Sequence, residues 1–346
     1  MHKLLLLKNS YSYIMSLLFN LWKYFMCRKV LFLQRYFNIT TIMNLKNKVC
    51  LFVLLLSFTI SFVFSQDVKT YAFAERDSCT LYMDVYHPEQ QREDKSCIVF
   101  VFGGGFRMGS RSSPHHKEFY QLLVDKGFVV IAIDYRLALK NVNRVDAMHN
   151  YPLACAIDIA VEDLFSAVSY IVKHSEELHI DTSKIVLCGS SAGAITVLHA
   201  DYELANRRKS YVTLPEGFRF GGVISFAGAI FSHDGKVKYN HQPPAPTFLL
   251  HGTDDFIVTY KKIVFFNIGF YGTDALVKRF EKLDYPYYAF RYRNLAHEVA
   301  SAMKYNVDEI EWFVNNYVIA KKPLKVDQYY LNPEIKRNPD YPLRPR

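Results

Sequence analysis

The chain has 346 residues, half of them hydrophobic, with 42 Lys and Arg against 33 Asp and Glu. Eight of the basic residues (Lys3, Lys8, Lys23, Arg28, Lys29, Arg35, Lys46 and Lys48) fall in residues 1–65, which hold no acidic residue. Taking those eight from 42 leaves 34 basic against 33 acidic residues, so the basic excess belongs to the N-terminal segment and no nucleic-acid partner is expected.

That segment reads in two pieces. From Met43 a short positive stretch leads into the apolar run Val49–Phe64 and then into Ser65-Gln66-Asp67. With Ser65 and Val63 as small residues at −1 and −3, residues 43–65 have the form of a secretory signal peptide, and the chain is expected to be exported to the periplasm or the extracellular space. The competing reading is an uncleaved anchor, which would be the chain's only membrane contact. Residues 1–42 precede a complete signal peptide and read as an upstream extension, with translation starting at Met43.

The remaining 281 residues, Gln66–Arg346, suit one large domain. Their four cysteines (Cys79, Cys97, Cys155 and Cys188) show no metal-ligand spacing, and no metal is expected. Cys79 and Cys97 each begin an apolar, strand-like run, so an exported chain has the option of a bridge between them. Cys188 ends an apolar strand and reads as a small core residue.

Along the chain, strand and helix alternate without an internal repeat. Cys79–Tyr86 alternates apolar and polar residues as a half-buried strand does. Ile98–Phe102 is a continuous apolar run that ends in glycines. Phe119–Lys126 has helical periodicity and is closed by Gly127. Phe128–Ile133 is a buried strand, and Ile157–Val172 a helix with an acidic outer face. Ile185–Cys188 is a strand followed at once by a small-residue helix. Gly222–Phe226, Thr247–Leu250 and Tyr287–Tyr292 complete the strands, helices fill the gaps, and Val307–Ile319 is the last helix. Buried strands separated by helices predict an α/β domain over 66–320, a mostly parallel sheet covered on both faces. Residues 321–346 are polar, basic and Pro-bearing, and read as a surface tail.

Residues 188–194, Cys-Gly-Ser-Ser-Ala-Gly-Ala, hold Gly189-x-Ser191-x-Gly193 between that strand and helix. So sharp a strand-to-helix turn tolerates no side chain at the glycines, and it lifts the serine hydroxyl to a helix N-terminus, where negative charge is favoured. A hydroxyl nucleophile needs a base, and the base an orienting acid. Thr247–Leu250 runs into His251-Gly252-Thr253-Asp254-Asp255, a carboxylate loop at a strand end. After the next strand, Asn294-Leu295-Ala296-His297-Glu298 places His297 before the last helix. His199, His115 and His116 read as packed or solvated. Early in the domain, Phe102-Gly103-Gly104-Gly105-Phe106 offers backbone N–H groups to a carbonyl oxygen, with Ala192 N–H as the second donor site. The loop lacks the Gly-x-Gly-x-x-Gly and Lys-Ser/Thr signatures of phosphate binding.

These four ordered motifs, over about Val68–Ile319, resemble the α/β-hydrolase esterase/lipase family, near the branch with a His-Gly-Gly-Gly oxyanion motif and a downstream Asp-Tyr-Arg-Leu. Here the motifs are Phe102-Gly103-Gly104-Gly105 and Asp134-Tyr135-Arg136-Leu137. The resemblance implies the α/β-hydrolase fold, Asp255 rather than Asp254 as the acid, Gly104 and Gly105 as oxyanion donors, and structural roles for His251 and Arg136. It implies no cofactor. Phe102 departs from the family histidine, and no large cap insertion is present; only loops around Leu137–Tyr151 and Phe231–Pro246 are available to roof the site. The implied activity is hydrolysis of short acyl esters on small or carbohydrate alcohols. A prolyl-oligopeptidase-like exopeptidase and a non-catalytic binding protein stand as alternatives.

Overall fold

A computed structural model describes residues 68–142, 151–207 and 214–341. The expected extension and signal peptide lie outside these residues, as does part of the Leu137–Tyr151 loop. Gln66–Arg346 forms a compact unit of its own.

The strands are β1 (Val68–Arg76), β2 (Cys79–Tyr86), β3 (Cys97–Val101), β4 (Val129–Ile133), β5 (Ile185–Ser190), β6 (Gly222–Phe226), β7 (Ala229–Ser232), β8 (Thr247–Gly252), β9 (Lys262–Phe265), β10 (Ile268–Gly272), β11 (Tyr287–Tyr292) and β12 (Lys325–Tyr330). The helices are α1 (Pro114–Asp125), α2 (Tyr151–Lys173), α3 (Ala192–Ala205), α4 (Thr273–Leu283) and α5 (Val307–Phe313), the last continued by a wider π-type turn, Val314–Ile319. Nine strands form the main sheet in the order β1-β2-β4-β3-β5-β6-β8-β11-β12. The first two pairings are antiparallel and the rest parallel.

Every residue of β3, β4, β5, β6, β8 and β11 is buried, which is why these segments read as apolar runs without alternation. The crossover from β3 to β4 steps one way along the sheet, while those from β4 to β5 and β5 to β6 step the other way. With right-handed crossovers, α1 lies on one face and α2 and α3 on the other. α5 packs against α1, and α2 against α3. The expected covered, mostly parallel sheet is therefore present.

Two expectations need correction, and the open question of a Cys79–Cys97 bridge is answered. The span between Leu250 and Tyr287 is not helical throughout, because β9 and β10 form a hairpin that joins β7 in a second, three-stranded sheet. A Cys79–Cys97 bridge is absent: both thiols are free, Cys79 exposed and Cys97 buried. β4 lies between their strands, and the registers set Cys97 beside Val129 while Tyr86, seven residues beyond Cys79, already faces Val130. The two thus sit near opposite ends of strands two apart, far beyond disulfide reach.

The second correction is the tail. Residues 325–330 are not a surface extension but the edge strand β12, pairing with β11 from Tyr287↔Lys325 to Tyr292↔Tyr330. Arg291, 3 % exposed, fastens the pair: its Nε donates to Asp327, and its Nη1 donates to Asp274 at 2.9 Å and to the Tyr260 hydroxyl. Removing one member of a buried ionic cluster leaves its partners uncompensated. Arg291→Ala is expected to lower stability by about 3 kcal/mol, read from urea unfolding, with β12 the first element to lose amide protection from exchange. A loss below about 1 kcal/mol would deny the cluster this role.

Candidate active site

β5 delivers Ser191 at its C-terminal end, where the backbone turns within one residue into α3. Ser191 has φ 52° and ψ −116°, a region costly for any residue with a side chain. The turn survives because its neighbours make room. A Cβ on Gly193 would lie 2.0 Å from the Val101 carbonyl oxygen, so only glycine lets α3 start against the end of β3. The Ser191 N–H donates to Phe226 O at 2.9 Å, which ties the turn to β6.

Two loops close on this serine. The one after β8 carries Asp255 and the one after β11 carries His297, and they are stitched together by Thr253 N–H to Tyr292 O (2.9 Å) and Asp254 N–H to Leu295 O (3.0 Å). Ser190 Oγ donates to Ala300 O at 2.6 Å and fixes the histidine loop to the elbow itself. The result is a continuous chain of contacts. Ser191 Oγ lies 2.8 Å from His297 Nε2, and His297 Nδ1 lies 2.7 Å from Asp255 Oδ2. His297 is 7 % exposed and Asp255 fully buried, whereas Asp254 is half-buried and outside the chain.

Asp255 is heavily hydrogen-bonded. Its Oδ1 accepts from the N–H groups of Ile257 and Val258 at 2.9 and 3.1 Å, and its Oδ2 also faces His251 Nε2 at 3.2 Å. His251 Nε2 lies 3.0 Å from Val258 O as well, so both its neighbours are acceptors and this nitrogen carries the proton. Thr273 Oγ1 then donates to Nδ1 at 3.0 Å. Burial alone would push the Asp255 carboxyl up. The hydrogen bonds from His251 and His297 outweigh it and hold the group well below the usual carboxylate range. Asp255 therefore stays ionised at any pH near neutrality.

The glycine loop packs directly on the elbow, since a Cβ on Gly103 would sit 3.1 Å from Ser191 Cβ. Gly104 has φ 116°, and a Cβ there would fall 2.0 Å from Met108 O, so the turn that presents residues 104 and 105 requires glycine. Among the described residues, no backbone carbonyl accepts from the N–H of Gly104, Gly105 or Ala192 outside regular helix and strand bonding. Phe102, in place of the family histidine, stacks on Tyr135 at 4.5 Å, and the Tyr135 hydroxyl donates to Phe102 O at 3.1 Å. Asp134 pairs with Arg111, and Arg136 grips the fully buried Asp163 of α2, which also takes Arg76. The Asp134–Leu137 segment is thus a brace for the glycine loop.

Of the other histidines singled out, His199 and His116 are packed and His115 is exposed. His199 Nε2 accepts from Phe231 N–H at 2.9 Å. His116 meets Phe100 edge-on, and its pKa is pushed down to about 4 by burial and by neighbouring His115. Sequence reasoning missed Tyr341, whose ring meets His297 edge-to-face with centroids 5.9 Å apart. The tail returns from β12 over the site, anchored by buried Ile335 and by turns at Asn332 and Asn338. No apolar run marks this segment; a lone tyrosine among prolines and charges carries no positional signal.

A family model described as BD-FAE matches residues 83–230. The chain is 30% identical over 105 residues to Lipase 2 of Moraxella sp. (strain TA144), covering 30% of this chain and 21% of that protein. It is 27% identical over 144 residues to an ethyl acetate hydrolase of Pseudomonas putida, covering 41% of each. It thus spans well under half the length of these curated relatives. In structure it is similar to a thermophilic esterase of the planctomycete Thermogutta terrifontis, with TM-score 0.53 and 21% identity over 72% of this chain and 92% of that one.

Proposed function

We propose that this α/β-hydrolase, carboxylesterase-like in sequence, hydrolyses carboxylic esters through an acyl-enzyme on Ser191. The observation that carries the reading is the unbroken hydrogen-bonded chain Ser191–His297–Asp255 at a strained elbow beside the glycine loop. His297 Nε2 takes the Ser191 proton as Oγ attacks the ester carbonyl, and Asp255 fixes the imidazole tautomer and stabilises the imidazolium. The tetrahedral oxyanion is held by the N–H groups of Gly104, Gly105 and Ala192. The imidazolium then protonates the leaving alcohol, and water, deprotonated by His297, releases the acid. The experiment is turnover of p-nitrophenyl acetate by Gln66–Arg346 together with fluorophosphonate labelling mapped to Ser191. Neither turnover nor label in the folded protein would reject the reading.

The substrate class we favour is a short acyl group on a small or carbohydrate alcohol. The short described loop between β7 and β8 and the ethyl acetate hydrolase among the relatives support it. His297 hands its proton to the leaving alcohol, so Tyr341, packed on that ring, borders the alcohol side. Tyr341→Ala is expected to lower kcat/KM about 3–10-fold for acetates of bulky aromatic alcohols and to spare ethyl acetate. An equal loss for both would make the ring a structural support only.

Export is the remaining part of the reading, supported by the apolar run Val49–Phe64 and the small residues before Gln66. Mass spectrometry of the protein recovered from its native compartment is expected to find Gln66 as the first residue. A chain still carrying Val49–Phe64 would favour the anchor.

A further inference from the structure

The outer strand β9 and the tip of the β9–β10 hairpin stand clear of the rest of the fold, while β10 pairs with β7. All of Lys261–Ile268 is exposed, so β9 buries neither of its faces, although it reads Lys-Ile-Val-Phe. Ile263 is 59% exposed, Phe265 74% and Phe266 87%. The tip is equally unusual. Phe266 sits at φ 54° in the two-residue turn, a position that turn chemistry reserves for Asn or Gly. A bulky ring is thus held in a disfavoured backbone conformation where its main neighbour is the exposed Phe265, edge-on at 4.6 Å. Nothing inside the fold accounts for apolar residues there. Exposed apolar side chains clustered at a protruding tip mark a contact surface.

The surroundings say what kind of surface. At the base of the hairpin, a groove of about 530 Å³ is lined by Lys236, Lys261, Lys262, Lys278, Arg279 and Lys282. Its one carboxylate, Asp274, is already held by Lys278 and Arg291. An apolar tip flanked by cations is complementary to a layer that is hydrocarbon inside and anionic at its surface. It is poorly suited to a second copy of the chain, because self-pairing along β9 would bring two such basic clusters together. The hairpin also leaves from the catalytic edge of the molecule: β10 pairs with β7, which follows β6 just beyond Phe226, the residue that accepts from Ser191 N–H.

We infer that the β9–β10 hairpin seats this protein on anionic lipid surfaces, with Phe265 and Phe266 entering the headgroup–acyl boundary and the lysines contacting the headgroups. The unit Gln66–Arg346, which contains both sheets, is the protein to use, because Val49–Phe64 would itself partition into lipid. It is expected to co-sediment with vesicles containing phosphatidylglycerol and not with phosphatidylcholine alone, with binding weakened by salt. The double variant Phe265→Ser, Phe266→Ser, with both positions exposed and outside the catalytic machinery, is expected to cut binding at least about tenfold while its thermal unfolding is unchanged. Lys261→Glu with Lys262→Glu is expected to weaken binding as well. Failure to bind the anionic vesicles, or binding that the phenylalanine variant leaves intact, overturns the inference. A wild-type dimer that becomes monomeric in that variant, with no vesicle binding by either, would assign the hairpin to self-association instead. Binding is read without any turnover, so the outcome is independent of the ester chemistry.

Discussion

Ser191→Ala is expected to lower p-nitrophenyl acetate turnover by about 10⁴–10⁶-fold without loss of fold. Only Oγ is removed. The elbow is held by backbone contacts that alanine keeps, namely the Ser191 N–H to Phe226 O bond and the approach of Gly193 to Val101. His297 and Asp255 remain in place with nothing to activate, so the residual rate measures what the oxyanion loop and substrate binding contribute alone. The measurement is kcat/KM beside a thermal unfolding curve. A variant within about tenfold of wild type would mean that another group is the nucleophile.

Asp255→Asn is expected to cost about 10⁴-fold in turnover, and the reason is specific to this site. One carboxylate oxygen accepts two backbone N–H groups, and the other faces both His297 Nδ1 and the proton-bearing His251 Nε2. An amide turns one of those oxygens into a donor. Whichever way it flips, donors meet donors: either the two amide N–H groups or the two imidazoles lose their acceptor. The substitution should therefore disturb stability as well as rate, and in a pH-dependent way. The folded Asp255 carboxyl lies below its unfolded value, so its stabilisation is complete above about pH 4 and is lost as the pH falls through the folded value. Urea midpoints for wild type and Asp255→Asn should converge as the pH is lowered from about 4 toward 2. A gap that stays constant across that range would mean the carboxylate's charge contributes nothing.

The central strands and the three residues of the hydrogen-bonded chain were readable from local pattern. An apolar run buried on two faces announces itself, and Gly189-x-Ser191-x-Gly193 needs only its flanking strand and helix to be interpreted. The second histidine at Asp255, by contrast, depends on the fold of the loop after β8, although its supporting role was expected from the family pattern. What went unread has a common physical cause. β12 is mostly exposed and joins the sheet through backbone hydrogen bonds, which leave no mark on side-chain pattern. β9 has no buried face, so it has no period to detect. The Cys79–Cys97 option failed on strand order, because β4 inserts itself between two strands that are neighbours along the chain.

Among the described residues, β12 is also the last strand of the sheet to emerge during synthesis, and it alone pairs with β11 on that side. A chain ended before Lys325 by a stop codon or a protease would keep Ser191, Asp255 and His297. It would also present Tyr287–Tyr292 as a bare, apolar edge. Such an edge recruits other strands before it catalyses anything, so truncated copies would disappear into aggregates rather than persist as slow enzymes. Pairing of these few strand residues with β11 would then decide whether a molecule stays in solution.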